Sequence, residues 1–292
     1  MKNTLLLLAA ITFAIPSFAG FNYGGEITYK VIDSNTATYQ FNVEIFAQAI
    51  NVGILRDSLQ VTVYDCNLNS IAAFIVYNTF KPTYSMNFAP IPYEGTYTLP
   101  GAGCYRFAVT DPNRTNNTTN ITGSGQVPLY VESYLLAPDL TTLNNSARFL
   151  KQPSEDIPLG DTVKFSVAAS DPDGDCLSYR LVKPLASPTT TVPGYEYPDD
   201  PSLWGTNPNI FELDSISGEV TAYFDVPGTY AYSVLVVEWE NGQPKGTVLR
   251  DVVFIVSNFN IEQEFSGTST WQTNSQGVFE YTILPGQSLN LT

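Results

Sequence analysis

Residues 162–181, TVKFSVAASDPDGDCLSYRL, hold two alternating runs on either side of an acidic turn. Val163, Phe165, Val167 and Ala169 share one face, with Lys164 and Ser166 on the other, the period of a half-buried strand. Leu177–Val182 resumes the alternation after the turn. In Tyr230–Val237 both faces are apolar, as a strand in the middle of a sandwich requires.

The same pattern recurs along the chain. Further strands are predicted at Glu26–Lys30, Ala37–Phe46, Ser58–Tyr64, Ile71–Tyr77, Cys104–Val109, Pro128–Leu136, Glu219–Phe224 and Leu249–Val256. No stretch past residue 20 carries a 3.6-residue period. Short strands joined by Gly, Pro and Asp turns predict an all-β chain of two tandem immunoglobulin-like or cadherin-like β-sandwiches. Glu94-Gly95-Thr96-Tyr97, Gly103-Cys104-Tyr105 and Pro227-Gly228-Thr229-Tyr230 each read as a turn glycine ahead of a tyrosine whose ring packs inward and whose hydroxyl bonds nearby backbone.

The first 19 residues have a lone Lys2, an apolar run from Leu5, and small residues at Ser17 and Ala19, so residues 1–19 are predicted to be a secretory signal peptide. Localisation is therefore expected to be extracellular or at the cell surface, with no membrane insertion, since no later run approaches the ~20 apolar residues a spanning helix needs. The domains are expected at 20–145 and 146–258, with a polar loop at 111–126 and a boundary near 137–149. Residues 259–292 read as a tail or the truncated start of a further repeat, because Leu284–Thr292 parallels Pro158–Ser166.

A net charge of -15 and a pI near 4.2 argue against nucleic acid and anionic lipid as partners. Histidine is absent, which removes the commonest general base and transition-metal ligand. Nucleophile-elbow, zinc, P-loop and dinucleotide motifs are absent too, so a non-enzymatic protein without a resident cofactor is expected. Paired carboxylates of the glycosidase kind are set by spatial rather than sequential spacing, which keeps a surface glycoside hydrolase as the least favoured alternative.

Three groups of residues are candidates for chemistry. Asp171, Asp173 and Asp175 form either a strand-connecting turn or part of a calcium site. The spacing is not that of an EF-hand, whose sixth and twelfth positions would fall on Cys176 and Val182. As a turn, Asp side chains bond backbone amides and Gly174 takes the left-handed conformation. As a calcium site, Glu155, Asp156, Asp225 or Glu240 are candidates to complete about six to eight oxygens. Tyr195, Tyr197 and Trp204 are either a stacking surface for glycan rings or loop side chains packed over a sandwich edge. Cys66 and Cys104 lie in the same half and either form a disulfide or stay free, while Cys176 stands alone.

In order along the chain, GGEITY (24–29), GCY (103–105), DPNR (111–114), VPLYVE (127–132), SDPDGD (170–175), LSYRL (177–181), PGY (193–195), ISGEV (216–220), PGTY (227–230), VEW (237–239), NG (241–242) and RD (250–251) resemble the tandem Ig-like or PKD-like extracellular proteins of Bacteroidetes, of the gliding-motility-associated type. The resemblance implies an adhesive or structural protein of the cell surface, with other surface proteins or glycans as partners, carried across the outer membrane by a type IX system. Asp57-Ser58-Leu59, Asp161-Thr162-Val163 and Asp214-Ser215-Ile216 look like the O-glycosylation sites of such bacteria. The function expected is an adhesion or structural module, with a carbohydrate-binding module as the alternative.

Overall fold

The computed structural model describes residues 22–49, 56–80, 86–112, 114–153 and 156–258, with two short strands at Gln272–Thr273 and Phe279–Glu280. The expected signal peptide at 1–19 and the rest of the expected tail lie outside the described residues. The chain is all-β, as the alternation predicts. The first half has β1 Asn22–Asp33, β2 Thr38–Ala49, β3 Ser58–Tyr64, β4 Ser70–Asn78, β5 Met86–Thr98, β6 Gly103–Asp111 and β7 Leu129–Ala137. The second has β8 Arg148–Phe149, β9 Asp156–Pro158, β10 Val163–Ser166, β11 Ala169–Ser170, β12 Cys176–Val182, β13 Leu185–Ser187 and β14 Thr190–Thr191. It continues with β15 Ile210–Leu213, β16 Glu219–Tyr223, β17 Gly228–Glu240 and β18 Gln243–Ser257.

One antiparallel path runs β12–β17–β18–β1–β2–β5–β4–β3–β6–β7, crossing both halves. β18 is the strand they share. Along one edge it pairs with the whole of β17. Along the other it meets β7 at Gly246↔Leu135 to Val248↔Ser133, then β1 at Asp251↔Gly25 and Val252↔Gly24, then β9 at Ile255 to Ser257. The path from β1 round to β7 thereby closes on itself. Gly24 makes the close approach possible, because a Cβ there would sit 2.1 Å from the Asp251 carbonyl oxygen.

Two apolar cores flank this shared strand. The first is filled by inward residues of β1 to β7, among them Tyr29, Phe41, Val61, Phe107 and Val131. The second lies between β17–β18 and the three-stranded sheet β10–β16–β15, where Phe211 stacks on Phe254 at 5.4 Å. Phe46 of β2 reaches into this second core and stacks on Phe88 of β5.

Charged residues also cross the seam. Arg250 pairs with Glu26, lies 3.6 Å from the ring centroid of Phe149, and donates to the Lys151 carbonyl. Arg114 pairs with Asp251, and both side chains are buried. The polar loop at 111–126 reaches the second half: Thr119 N–H donates to Thr229 O, and Asn120 both donates to Ala231 O and accepts from Ala231 N–H, each at 2.8 Å. Ser146 and Asn145, within the expected boundary, bond the backbone of Tyr29 and Val31.

Several expectations change in detail. The run expected over Thr162–Ala169 divides into β10 and β11, which belong to different small sheets. β5 was not predicted. Its prolines, Pro90 and Pro92, argue against an interior strand, yet β5 pairs with β2 along its length. The Pro92 carbonyl accepts from Thr79 N–H, so its absent N–H lies on that side and costs the β2 ladder nothing. Gly95 accordingly sits inside β5 rather than in a turn. The other two tyrosines behave as expected, Tyr105 hydroxyl donating to Gly101 O at 2.6 Å and Tyr230 hydroxyl to Val226 O at 3.0 Å. Cys66 and Cys104 are joined by a disulfide with their Cα atoms 5.3 Å apart, and Cys176 is free and exposed.

Candidate functional site

The acidic turn links β11 to β12 and faces the segment that leaves β7. Asp171 Oδ1 accepts from the N–H of Asp173 at 2.8 Å and of Asp175 at 3.1 Å, and Gly174 has φ +84°. This is the self-bonded turn that Asp, Pro and Gly in this order favour. One oxygen from each of Asp171, Asp173 and Asp175 lies within 4.8 Å of the others.

Two of the three carboxylates are engaged by donors from elsewhere. Asp173 accepts from Asn145 N–H at 2.6 Å and Asn145 Nδ2 at 2.7 Å, clasping the turn to the connecting segment. Asp175 stands 3.3 Å from Lys245 Nζ, which also lies 3.5 Å from Glu240. Asp171 Oδ2 is buried without a hydrogen-bond partner. Burial raises the Asp171 carboxyl above the ordinary range, against the two amides that favour its charge.

Glu238 of β17 lies beneath the turn and is fully buried. Its oxygens accept from Ala147 N–H at 2.7 Å and Asn144 Nδ2 at 2.6 Å. Burial, reinforced by Asp171 and Asp175, pushes its pKa up to about 7. Asn144 is fully buried and its Oδ1 has no partner. Glu238 is therefore the acid that the structure brings to the cluster. Asp225 instead accepts from Gly205 and Asn207 N–H, Asp156 lies on β9, and Glu155 lies outside the described residues.

The donor set of a cation here would be Asp171 Oδ2 with oxygens of Asp173 and Asp175. Asn145 already takes both oxygens of Asp173, and the Lys245 ammonium already neutralises Asp175. The arrangement is satisfied chiefly from within the protein, and a hard cation needing about six to eight oxygens would have to displace these donors.

The aromatic candidates do not form one surface. Tyr195 is 2 % exposed and packs with Ile121, Val127, Val192, Ala231 and Val253, so its faces are covered by protein. Tyr197 is half-buried, edge-on to Tyr195 at 5.5 Å, with Lys183 Nζ 5.8 Å from its ring centroid. Trp204 is 42 % exposed and donates through Nε1 to Asp199 O. Tyr195 follows a turn at Gly194 that folds it into a third apolar cluster, so for this residue the packed-loop alternative holds. Of the expected glycosylation sites, Thr162 and Ser215 are exposed, whereas Ser58 is half-buried in β3.

No family model, no curated protein and no solved structure matches this chain. The reading of its function therefore rests on the chain itself.

Proposed function

We propose that this chain is a non-enzymatic adhesion or structural module of a bacterial cell-surface or secreted protein, built as two Ig-like sandwiches of the cadherin-like or PKD-like kind. The observation that carries the proposal is the shared strand. β18 is bonded to β17 of the second half and to β1 and β7 of the first, with Arg114–Asp251 and Arg250–Glu26 buried beside it. Halves joined through a ladder and buried ion pairs transmit load as one body, unlike domains joined by a linker. The disulfide pins the β3–β4 turn to the start of β6, which suits an exported load-bearing protein.

The test is mechanical and adhesive. Pulled between residues 22 and 258 in an optical trap, the chain is expected to lose both halves in one event. Beads coated with it are expected to be retained on bacterial surface material above an albumin control. Two separate rips would remove the welded spacer, and retention equal to albumin would remove the adhesive role.

A further inference from the structure

On the outer face of β1–β2–β5, beside Arg148, lies a groove of about 370 Å3, within the ~300–1,000 Å3 usual for small-molecule sites. Its floor is set by register. Thr28, Asn42 and Glu94 form one cross-strand row, and Lys30 and Gln40 form the next. Arg148 of β8 lines the groove with them. Lys30 and Arg148 are exposed, and neither has an ion-pair partner among the described residues. Two cations without an ion-pair contact in one groove, against the single carboxylate of Glu94, are conspicuous in a chain with 13 basic residues against 28 acidic ones.

Beside those cations the floor offers two amides and one carboxylate. Gln40 Nε2 donates to Glu94 Oε2 at 2.8 Å, and Asn42 lines the groove beside them. Hydroxyl-rich ligands are read by such mixed amide and carboxylate groups. An extended acidic peptide fits less well, because it docks on a sheet through unpaired main-chain groups at an edge. β2, in the middle of this floor, is bonded on both edges from Thr38 to Ala47.

We propose that this groove binds an acidic saccharide, one residue of a short uronate chain having its carboxylate held by Lys30 and Arg148 while Gln40, Asn42 and Glu94 take its hydroxyls. The next row down the groove is acidic, Glu26 opposite Glu44, and Arg250 is already paired with Glu26. The sugar whose carboxylate is held therefore lies at Lys30, away from Glu44. The attraction is local and weakens as salt is added.

The site is tested by calorimetric titration of the whole chain with tetramers of galacturonate, mannuronate and guluronate. The methyl ester of the galacturonate tetramer and tetraglutamate serve as controls. At least one uronate is expected to bind, with affinity at least about tenfold weaker for K30Q/R148Q, whose exposed changes leave the melting temperature in place. The ester is expected to bind no tighter than that variant binds the acid. Lack of binding by all three uronates overturns the proposal, as does equal binding of acid and ester when galacturonate is the ligand. Undiminished binding by K30Q/R148Q, or tetraglutamate binding as tightly as the best uronate, overturns it as well.

Discussion

Arg114 and Asp251 meet as a bidentate pair across the seam, Nη1 to Oδ1 at 3.1 Å and Nη2 to Oδ2 at 2.5 Å, with side chains 2 % and 0 % exposed. Neither charge has water to fall back on. Arg114→Met should leave the Asp251 carboxylate buried and alone, at a cost of about 3–5 kcal/mol in denaturant unfolding. The double change R114M/D251L should recover most of that loss. A double variant as unstable as the single one would show that the pair does more than neutralise itself.

Glu238 gives the chain a pH dependence of known sign. Its carboxyl has a pKa of about 7 in the folded state against an ordinary 4.5. Between those values the folded chain holds a proton that the unfolded chain has released, so stability falls as pH rises from about 4.5 to 7. The fall is at most about 3 kcal/mol. Asp171, Asp251, Glu132 and Glu44 are raised by burial and act in the same direction. Glu238→Gln should flatten the curve, since Asn144 can turn its free Oδ1 toward the new amide. Melting curves from pH 4.5 to 8 in which wild type and variant run parallel would sink this account.

The Cys66–Cys104 bridge spans 38 residues of sequence, for which loop closure gives about 4 kcal/mol. C66S/C104S should lose roughly that amount, and a reducing agent should have the same effect on the native chain. Cys176→Ser, at an exposed free thiol, should leave the unfolding midpoint where it was.

Tyr105 and Tyr230 each bond a carbonyl four residues upstream. Phenylalanine at either position should cost about 1 kcal/mol. Tyr97 of β5, which stacks on Phe74 of β4, is the comparison. Tyr97→Phe should fall within about 0.5 kcal/mol of wild type. Equal losses at all three sites would mean that ring packing, rather than the hydroxyl bond, is being measured.

At the acidic turn, Asn145 and Lys245 already engage two of the three carboxylates a calcium ion would need. The melting midpoint should therefore be the same in EGTA and in millimolar calcium. A rise of several degrees that disappears in Asp173→Asn would instead place the metal there.

Alternation made most strands legible, and Ser58–Tyr64 coincides with β3 at both ends. It failed at β5, where the prolines have the wrong reputation but face the side on which β5 has little partner. The turn at 171–175 was readable because its bonds are local. Glu238 was not, because its neighbours lie in segments distant in sequence and no spacing links them. One signal was present at the seam. Arg250-Asp251 interrupts an otherwise apolar strand, Leu249–Val256, and charges in such a place have to find buried partners.

The shared strand β18 also sets an order of events. It follows every other strand of the main sheet in the chain, yet it supplies the pairing for β1, which comes first. A chain synthesised from its N-terminus leaves the β18-facing edges of β1 and β7 open until residues 246–252 have emerged. Contacts this remote in sequence form slowly, and open edges are where chains associate wrongly. Truncation within β18 should therefore release an aggregating first half rather than a smaller folded module.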